Sequence, residues 1–407
     1  MIVLNGYHEY RDPREAFYLV TPHISRVGSI TVSGGNAVFQ TLKTHFSCPV
    51  PHLRNLDINL TSTSLPVLNC ALFNGDLSSL CKLRLSGVNP HLPWKNLPNL
   101  TSFTLERIPR GMVSVVQLLD FFTNTTFLSE IKLDLTPSSS DAPPGRVVLL
   151  PYLKSLIVLM GQEPSSIFLN HLTIPLGASL HLGFELPRTE SLLKMLLPGS
   201  SDNLQNISCI TSAYFNFSAG GVSIQLNGPS GKFYLRGGNR NPSARVPPTL
   251  YHIFSQCVDY FALSKTKKLG ITMYRYEPFV FNSPSRFILG AMEDLRILFL
   301  DWCDNLPFAL ALNPDENPSE PVLCPKLESL VLYIKEKRRS CIRELVTMAG
   351  KRASKGVRLK SITLVSRRGL SLEEELCELE KYVERVKYRF GRSSPKFDAI
   401  PEDGGEW

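Results

Sequence analysis

One short segment of the sequence has the spacing of a phosphate-binding loop. Gly228, Gly231 and Lys232 occur in NGPSGKF, and a loop of this type binds phosphate through glycine backbone N–H groups and a lysine. The motif GxxxxGK[ST] also needs an earlier glycine and a hydroxyl residue after the lysine, but those positions hold Leu226 and Phe233. The sequence therefore favours an ordinary turn over a nucleotide site.

His45 and Cys48 are spaced like two ligands of a metal ion. A structural zinc site needs four ligands, and no second pair completes this one. The nine cysteines contain no CxxC pair, so we expect reduced thiols and neither a zinc ribbon nor a disulfide framework. GxSxG, HExxH and GxGxxG motifs do not occur. We therefore expect no catalytic residues, no metal and no cofactor, in a chain that is not an enzyme.

The strongest charge feature is a basic stretch from Lys335 to Arg368. It holds 12 Lys or Arg against two Glu, a net charge of +10, whereas the whole chain carries +8. Apolar residues at helical spacing predict a helix over 341–355. The candidate partner-binding patch consists of Arg338, Arg339, Lys351, Arg352 and Lys355. The last three are expected to lie within one helical turn and to point away from the apolar face.

Two interpretations of this patch stay open. Outer helices and their loops are often charge-rich, and a solvated face would need no partner. Alternatively the patch faces an anion, which an acidic protein partner or nuclear import through KEKRR would explain. A nucleic-acid partner is not expected, because the stretch shows neither basic residues interleaved with aromatic ones nor a reader helix.

A repeated leucine pattern indicates the elements that position these side chains. The template LxxLxLxL ends in a period-two run, which directs apolar side chains to one face of a strand. Eight copies begin at residues 53, 80, 100, 128, 153, 295, 327 and 359. A helical pattern over 112–122 leads into one of them. Since one helix and strand cannot bury their apolar faces alone, we expect the copies to stack.

The predicted fold class is α/β: a leucine-rich-repeat-like solenoid with a curved parallel sheet on the concave side and helices on the convex side. Residues 1–391 are expected to form this single domain, irregular over 160–290, where alternation within 222–235 leaves a hairpin as an alternative to further repeats. Residues 392–407 are predicted to be a flexible tail. One equivalent leucine in each of four copies should be buried on the inner side of the strands: Leu133, Leu156, Leu330 and Leu364.

The composition suits a large soluble domain. The 407 residues are 43% hydrophobic and 20% charged, enough to bury a long core. No run reaches the roughly 18 apolar residues of a membrane span. The first residues also lack the basic and apolar regions of a secretion signal. The sequence thus predicts a cytoplasmic or nuclear protein with no membrane partner.

Three segments carry a resemblance to a known family. They are SVVQLLDFFTNTTFLSEIKLDL, RVVLLPYLKSLIVLMG and CPKLESLVLYIKEKRRSCIRELVTMAGKRASKGVRLKSITLV. Their repeat pattern resembles the leucine-rich carboxyl-terminal region of F-box proteins from mushroom-forming fungi, and the resemblance extends over nearly the whole chain. In that family an amino-terminal F-box binds the small adaptor subunit of a cullin-RING ubiquitin ligase, and the repeats are taken to recruit the substrate.

The F-box itself is not found in the sequence. Its nearest imitation, which begins at Leu186 and Pro187, has one residue too many before Glu190 and is expected to be an outer helix. The leading hypothesis is a non-catalytic recognition module for an unknown protein partner, which would contact the cullin adaptor only if an F-box were restored upstream. The alternative is a free-standing leucine-rich-repeat scaffold that binds a protein partner without a ubiquitin role.

Overall fold

A computed structural model describes most of the chain. The described residues are 2–5, 18–19, 21–45, 49–61, 67–68, 73, 77–92, 97–138, 145–185, 197, 203–218, 221–238, 250–273, 282–302, 311–314, 322–334, 339–366 and 372–390. The chain divides into two compact units. The first comprises Met1–Phe184 with Lys194–Asn206, and the second comprises Glu185–Leu193 with Ile207–Trp407.

The first unit contains a parallel sheet whose strands are neighbours in chain order. These strands are β1 (Ile2–Asn5), β2 (Ser29–Gly34), β3 (Asn55–Leu60), β4 (Lys82–Ser86), β5 (Ser102–Ile108), β6 (Glu130–Leu135), β8 (Ser155–Leu159) and β10 (Ser179–Glu185). Two short strands, β7 (Val148–Leu149) and β9 (Leu172–Thr173), pair with each other. The helices of the described part are α1 (Asn36–His45), α2 (Val115–Thr123) and α3 (Gln162–Asn170), with a 3-10 helix over Thr21–Arg26.

Alternation along each strand places one set of side chains in the core. In β5, Phe103 and Leu105 are fully buried, whereas Glu106 on the other face is only partly buried. The register sets Leu105 beside Leu85 of β4 and Leu133 of β6, and both of these leucines are buried too. Aligned apolar rows of this kind stabilise the sheet because they remove a continuous apolar area from water.

Helix α2 covers part of this core. Ser114 and Gln117 form a capping box at its first turn, in which each side chain bonds to the backbone of the other residue. Phe121 and Phe122 are fully buried against Phe103, with ring centroids 4.4 and 6.1 Å from the Phe103 ring. A helix is therefore confirmed within the predicted range 112–122, although it begins at Val115 and Met112 lies outside it.

The second unit combines parallel strands with an antiparallel hairpin. Its strands are β11 (Ser212–Ser218), β12 (Gly221–Gly228), β13 (Gly231–Gly238), β14 (Lys268–Met273), β15 (Ile297–Trp302), β16 (Ser329–Ile334), β17 (Ser361–Ser366) and β18 (Arg385–Phe390). The first three are antiparallel neighbours, β11 pairs in parallel with β14, and β14 to β18 follow in parallel. The helices of its described part are α4 (Leu250–Tyr260), α5 (Asn282–Gly290), α6 (Arg339–Ser354) and α7 (Glu373–Glu380).

Each template copy leads into a strand: β3, β4, β5, β6, β8, β15, β16 or β17. Leu133, Leu156, Leu330 and Leu364 are completely buried, as predicted. The structure thus confirms an α/β fold with a mostly parallel sheet and helices, and it confirms the hairpin over 222–235. The tail 392–407 lies outside the described residues. Within the described part of the chain, no helix is long and apolar enough to cross a membrane.

Candidate recognition site

The described side chains of the predicted basic patch do not form one outward surface. Arg338 lies outside the described residues, and Arg339 occupies the first position of α6. Lys355 is exposed just beyond the end of this helix and Lys351 is half-buried, but Arg352 is completely buried. The prediction that Lys351, Arg352 and Lys355 point outward together is therefore wrong for Arg352.

Arg352 is buried because it lies on the apolar face of α6. It follows the buried residues Leu345 and Ala349 at helical spacing. Its guanidinium donates hydrogen bonds from Nη1 to the carbonyl oxygen of Leu323 at 2.8 Å and from Nη2 to that of Cys324 at 2.9 Å. Burial lowers the pKa of this guanidinium below its ordinary value. Arg352 thus anchors α6 to the turn before β16 and is not available to a partner.

A different charged site lies on the sheet of the first unit, on the face opposite the leucine rows. We call this the open face. The register places Asp57, Arg84 and Lys132, from β3, β4 and β6, in one cross-strand row. Glu106 of β5 and Asp134 of β6 lie in the next row. All five occupy the outward positions of the LxLxL alternation, which is the one signal by which the sequence could have indicated them.

Ion pairs connect these side chains across the strands. Arg84 Nη1 lies 3.5 Å from Asp57 Oδ2, and Arg84 Nη2 donates to Glu106 Oε2 at 2.8 Å. Lys132 Nζ donates to Glu106 Oε1 at 2.5 Å. The Glu106 side chain is only 13% exposed, against 47% for Arg84 and 40% for Lys132. A mostly buried carboxylate therefore holds two cations whose side chains remain partly exposed.

A β-bulge adds a third cation to the open face. The register of β5 shifts between Glu106 and Ile108, and Arg107 between them has a φ of 54°, in the left-handed region that non-glycine residues rarely adopt. Arg107 Nε donates to Ser86 Oγ at 2.8 Å, and its Nη2 donates to Asn59 Oδ1. Bulges often redirect a side chain beside a functional site. The charged cluster of the open face comprises Asp57, Arg84, Glu106, Arg107, Lys132 and Asp134.

The carboxyl groups of the charged cluster titrate differently. Burial raises the pKa of Asp57, although Arg84 opposes the shift. Burial, with added repulsion from Glu106, raises the pKa of Asp134. Burial also acts to raise the pKa of Glu106, but hydrogen bonds from Lys132 and Arg84 outweigh it and hold that pKa below its ordinary value. The folded protein thus favours the charge on Glu106 and disfavours the charges on Asp57 and Asp134.

Replacing Asp134 by asparagine should raise the free energy of unfolding near pH 7. The gain should stay below about 1 kcal/mol, because the carboxyl is partly exposed and screened by water. The folded pKa of Asp134 lies above the ordinary value of 3.8, so the protonated carboxyl favours the folded state. The unchanged protein therefore loses this contribution to its stability as the pH rises through the folded pKa. The advantage of Asp134→Asn should therefore vanish in acid. Thermal melts near pH 7 and near pH 3.5 measure it.

Glu106→Gln provides a control of opposite sign. The folded pKa of Glu106 lies below its ordinary value of 4.5. The ionised carboxylate therefore stabilises the folded protein above pH 4.5, and this contribution is lost as the pH falls through the folded pKa. Glu106→Gln should therefore destabilise the protein near pH 7 and have little effect in strong acid. Destabilisation by Asp134→Asn near pH 7 would contradict the location of Asp134 beside Glu106.

Strands β15 and β16 of the second unit offer no equivalent face within their described residues. Phe299 and Val331 lie opposite the leucine rows, yet they are 1% and 2% exposed. Together with Ile297 they form a small apolar cluster against which Tyr214 packs. A partner could not contact these side chains without a rearrangement of the unit. The charged cluster of the first unit is therefore the better candidate for recognition.

The structure does not support the two motifs that the sequence offered for phosphate or metal binding. The glycines of the first motif have a structural explanation, and the second motif lies partly outside the described residues. Gly228 and Gly231 flank the turn between β12 and β13, and a Cβ atom at Gly228 would lie 1.9 Å from the carbonyl oxygen of Cys209. Glycine there permits a close backbone approach. His45 ends α1, and Cys48 lies outside the described residues. Among the residues that are described, no group of three or more His, Cys, Asp or Glu is placed to hold a metal ion.

No protein-family model matches this chain, and no curated protein matches it. Its function therefore has to follow from its own residues.

Proposed function

We propose that the chain is a non-catalytic protein-recognition module that acts like the substrate-binding region of F-box proteins of ubiquitin ligases. In this proposal the repeats form a leucine-rich-repeat-like solenoid, and a protein partner binds the open face of the first unit. The parallel sheet with one buried and one open face supports recognition, and the resemblance of three segments supports the F-box role. The cullin adaptor would be contacted through an F-box restored upstream and not through the repeats.

The observation that supports protein recognition is the charged cluster. Arg84, Arg107 and Lys132 remain accessible, yet each donates to fixed acceptors on neighbouring strands. Side chains that are already held in place lose little conformational freedom on binding, which lowers the entropic cost of forming an interface. Charges in a defined arrangement also select a partner by electrostatic complementarity. The cluster is therefore suited to specific protein recognition.

The test is capture of partners from cell extract, followed by titration with the purified partner. Arg84→Ala combined with Arg107→Ala should weaken binding at least roughly tenfold, or about 1.4 kcal/mol, because both changes remove charges at the centre of the interface. The matched control is Arg54→Ala combined with Lys154→Ala, which removes two exposed cations from the turns before β3 and β8. The control should bind normally. Equal loss in both variants would refute a partner site at the charged cluster.

A fusion experiment distinguishes the ligase role from the alternative scaffold role. The chain alone should not retain the cullin adaptor. With an F-box fused to its amino terminus, it should retain the adaptor and shorten the half-life of the captured partner in cells. An unchanged half-life, with the adaptor bound, would support a free-standing scaffold without a ubiquitin role.

A further inference from the structure

The antiparallel strands β11, β12 and β13 carry a polar face within the second unit. Their apolar side chains, among them Phe215, Ile224 and Leu235, are buried on one face. The opposite face is polar and partly or fully exposed, and we call it the hairpin face. Its central side chains are Asn216, Ser223, Gln225, Lys232, Tyr234 and Arg236.

The strand register orders these side chains. Along β13 the exposed Lys232 and Arg236 flank the half-buried Tyr234, so that cation, aromatic ring and cation alternate with buried residues. At about 3.4 Å per residue, the Cα atoms of Lys232 and Arg236 lie roughly 14 Å apart, with Tyr234 midway. Gln225 of β12 lies directly beside Tyr234, and Ser223 lies beside Arg236. Hydrogen-bonding side chains therefore adjoin both the ring and a cation.

The chain segment that contains the hairpin face carries charge of one sign. The 56 residues from Asn203 to Val258 contain no Asp or Glu but four Lys or Arg, so all 36 acidic residues of the chain lie elsewhere. An anionic ligand would meet no carboxylate on these three strands. The basic stretch at 335–368, by contrast, lacks interleaved aromatic residues. The combination of basic and aromatic side chains expected of a nucleic-acid surface thus occurs on the hairpin face instead.

We propose that the hairpin face binds single-stranded nucleic acid. Lys232 and Arg236 contact backbone phosphates, and a base stacks on the ring of Tyr234. Gln225 carries both a donor and acceptors and reads the edge of that base. An acidic peptide would use the two cations, but it would gain nothing from a ring between them. This function goes beyond protein recognition and uses residues of the second unit only.

Fluorescence anisotropy of the full chain with a labelled oligouridine tests the proposal. Lys232→Ser combined with Arg236→Ser should weaken binding and reduce the slope of log affinity against log salt by about 1.4, since two phosphate contacts are lost. Tyr234→Leu should weaken binding roughly tenfold through lost stacking, and Tyr234→Phe, which keeps the ring, should bind like the unchanged protein. Thermal melts establish that each variant is folded. If Tyr234→Leu unfolds, the binding of the double serine variant and of Tyr234→Phe still tests the proposal.

The matched control is Arg54→Ser combined with Lys154→Ser, which removes the same charge from the first unit. It should leave both the affinity and the salt slope nearly unchanged. Failure of the unchanged chain to bind at low salt would overturn the proposal, as would an equal loss in the control. The face would instead be assigned to an acidic protein by two results together. A glutamate-rich peptide would bind through Lys232 and Arg236, and Tyr234→Leu would change the binding of neither the peptide nor the oligouridine. Oligodeoxyuridine in place of oligouridine shows whether the 2′-hydroxyl contributes.

Discussion

Arg352→Ala should lower the free energy of unfolding by about 3 to 5 kcal/mol. The change removes a fully buried side chain and leaves a cavity between α6 and the turn that precedes β16. It also removes the donors that satisfy the carbonyl oxygens of Leu323 and Cys324, and buried acceptors without donors are costly. Urea denaturation followed by circular dichroism measures the loss.

Arg343→Ala is the matched control, because it makes the same chemical change at an exposed position of the same helix. Its effect should stay within about 0.5 kcal/mol, as for most surface substitutions. A loss of that small size for Arg352→Ala would place its guanidinium on the surface and restore the outward patch that the sequence predicted. Charge reversal at Lys351, Arg352 and Lys355 together is consequently a poor probe of partner binding, since Arg352→Glu alone should unfold the region.

Leu330→Ala should cost about 2 to 5 kcal/mol. Leu330 is completely buried in β16, and the register places it between Leu298 of β15 and Ile362 of β17, both of which are also buried. Truncation therefore opens a cavity in the middle of an aligned apolar row. The midpoint of urea denaturation should fall while the denaturant dependence stays constant, because the surface exposed on unfolding barely changes.

Leu176→Ala is the corresponding control, since this leucine is 64% exposed in the first unit. Its effect should remain within about 0.5 kcal/mol. If Leu330→Ala and Leu176→Ala lowered the free energy of unfolding equally, the leucine at this repeat position would not be packed in the core. The assignment of the leucine template to the core would then be wrong.

The sequence by itself determined eight of the strands and their buried faces. Each LxxLxLxL copy became a strand, and Leu133, Leu156, Leu330 and Leu364 are all buried. The physical reason is local: a period-two apolar run can satisfy its backbone in a sheet while burying every second side chain, and only a strand has that period. Helix α2 was predictable for a related reason, because its apolar residues recur at helical spacing and so share one face.

Only the tertiary structure decided which charged residues meet. The register brings Arg84 to Glu106 across 22 residues of sequence, and a bulge turns Arg107 toward Asn59 across 48. Composition cannot reveal such pairs, because any outward position of one strand can face many positions of the next until the register is set. Arg352 shows the converse. Its charge suggested the surface, but the free carbonyl oxygens of Leu323 and Cys324 made the interior its stable location, and those acceptors exist only where the turn before β16 packs against α6.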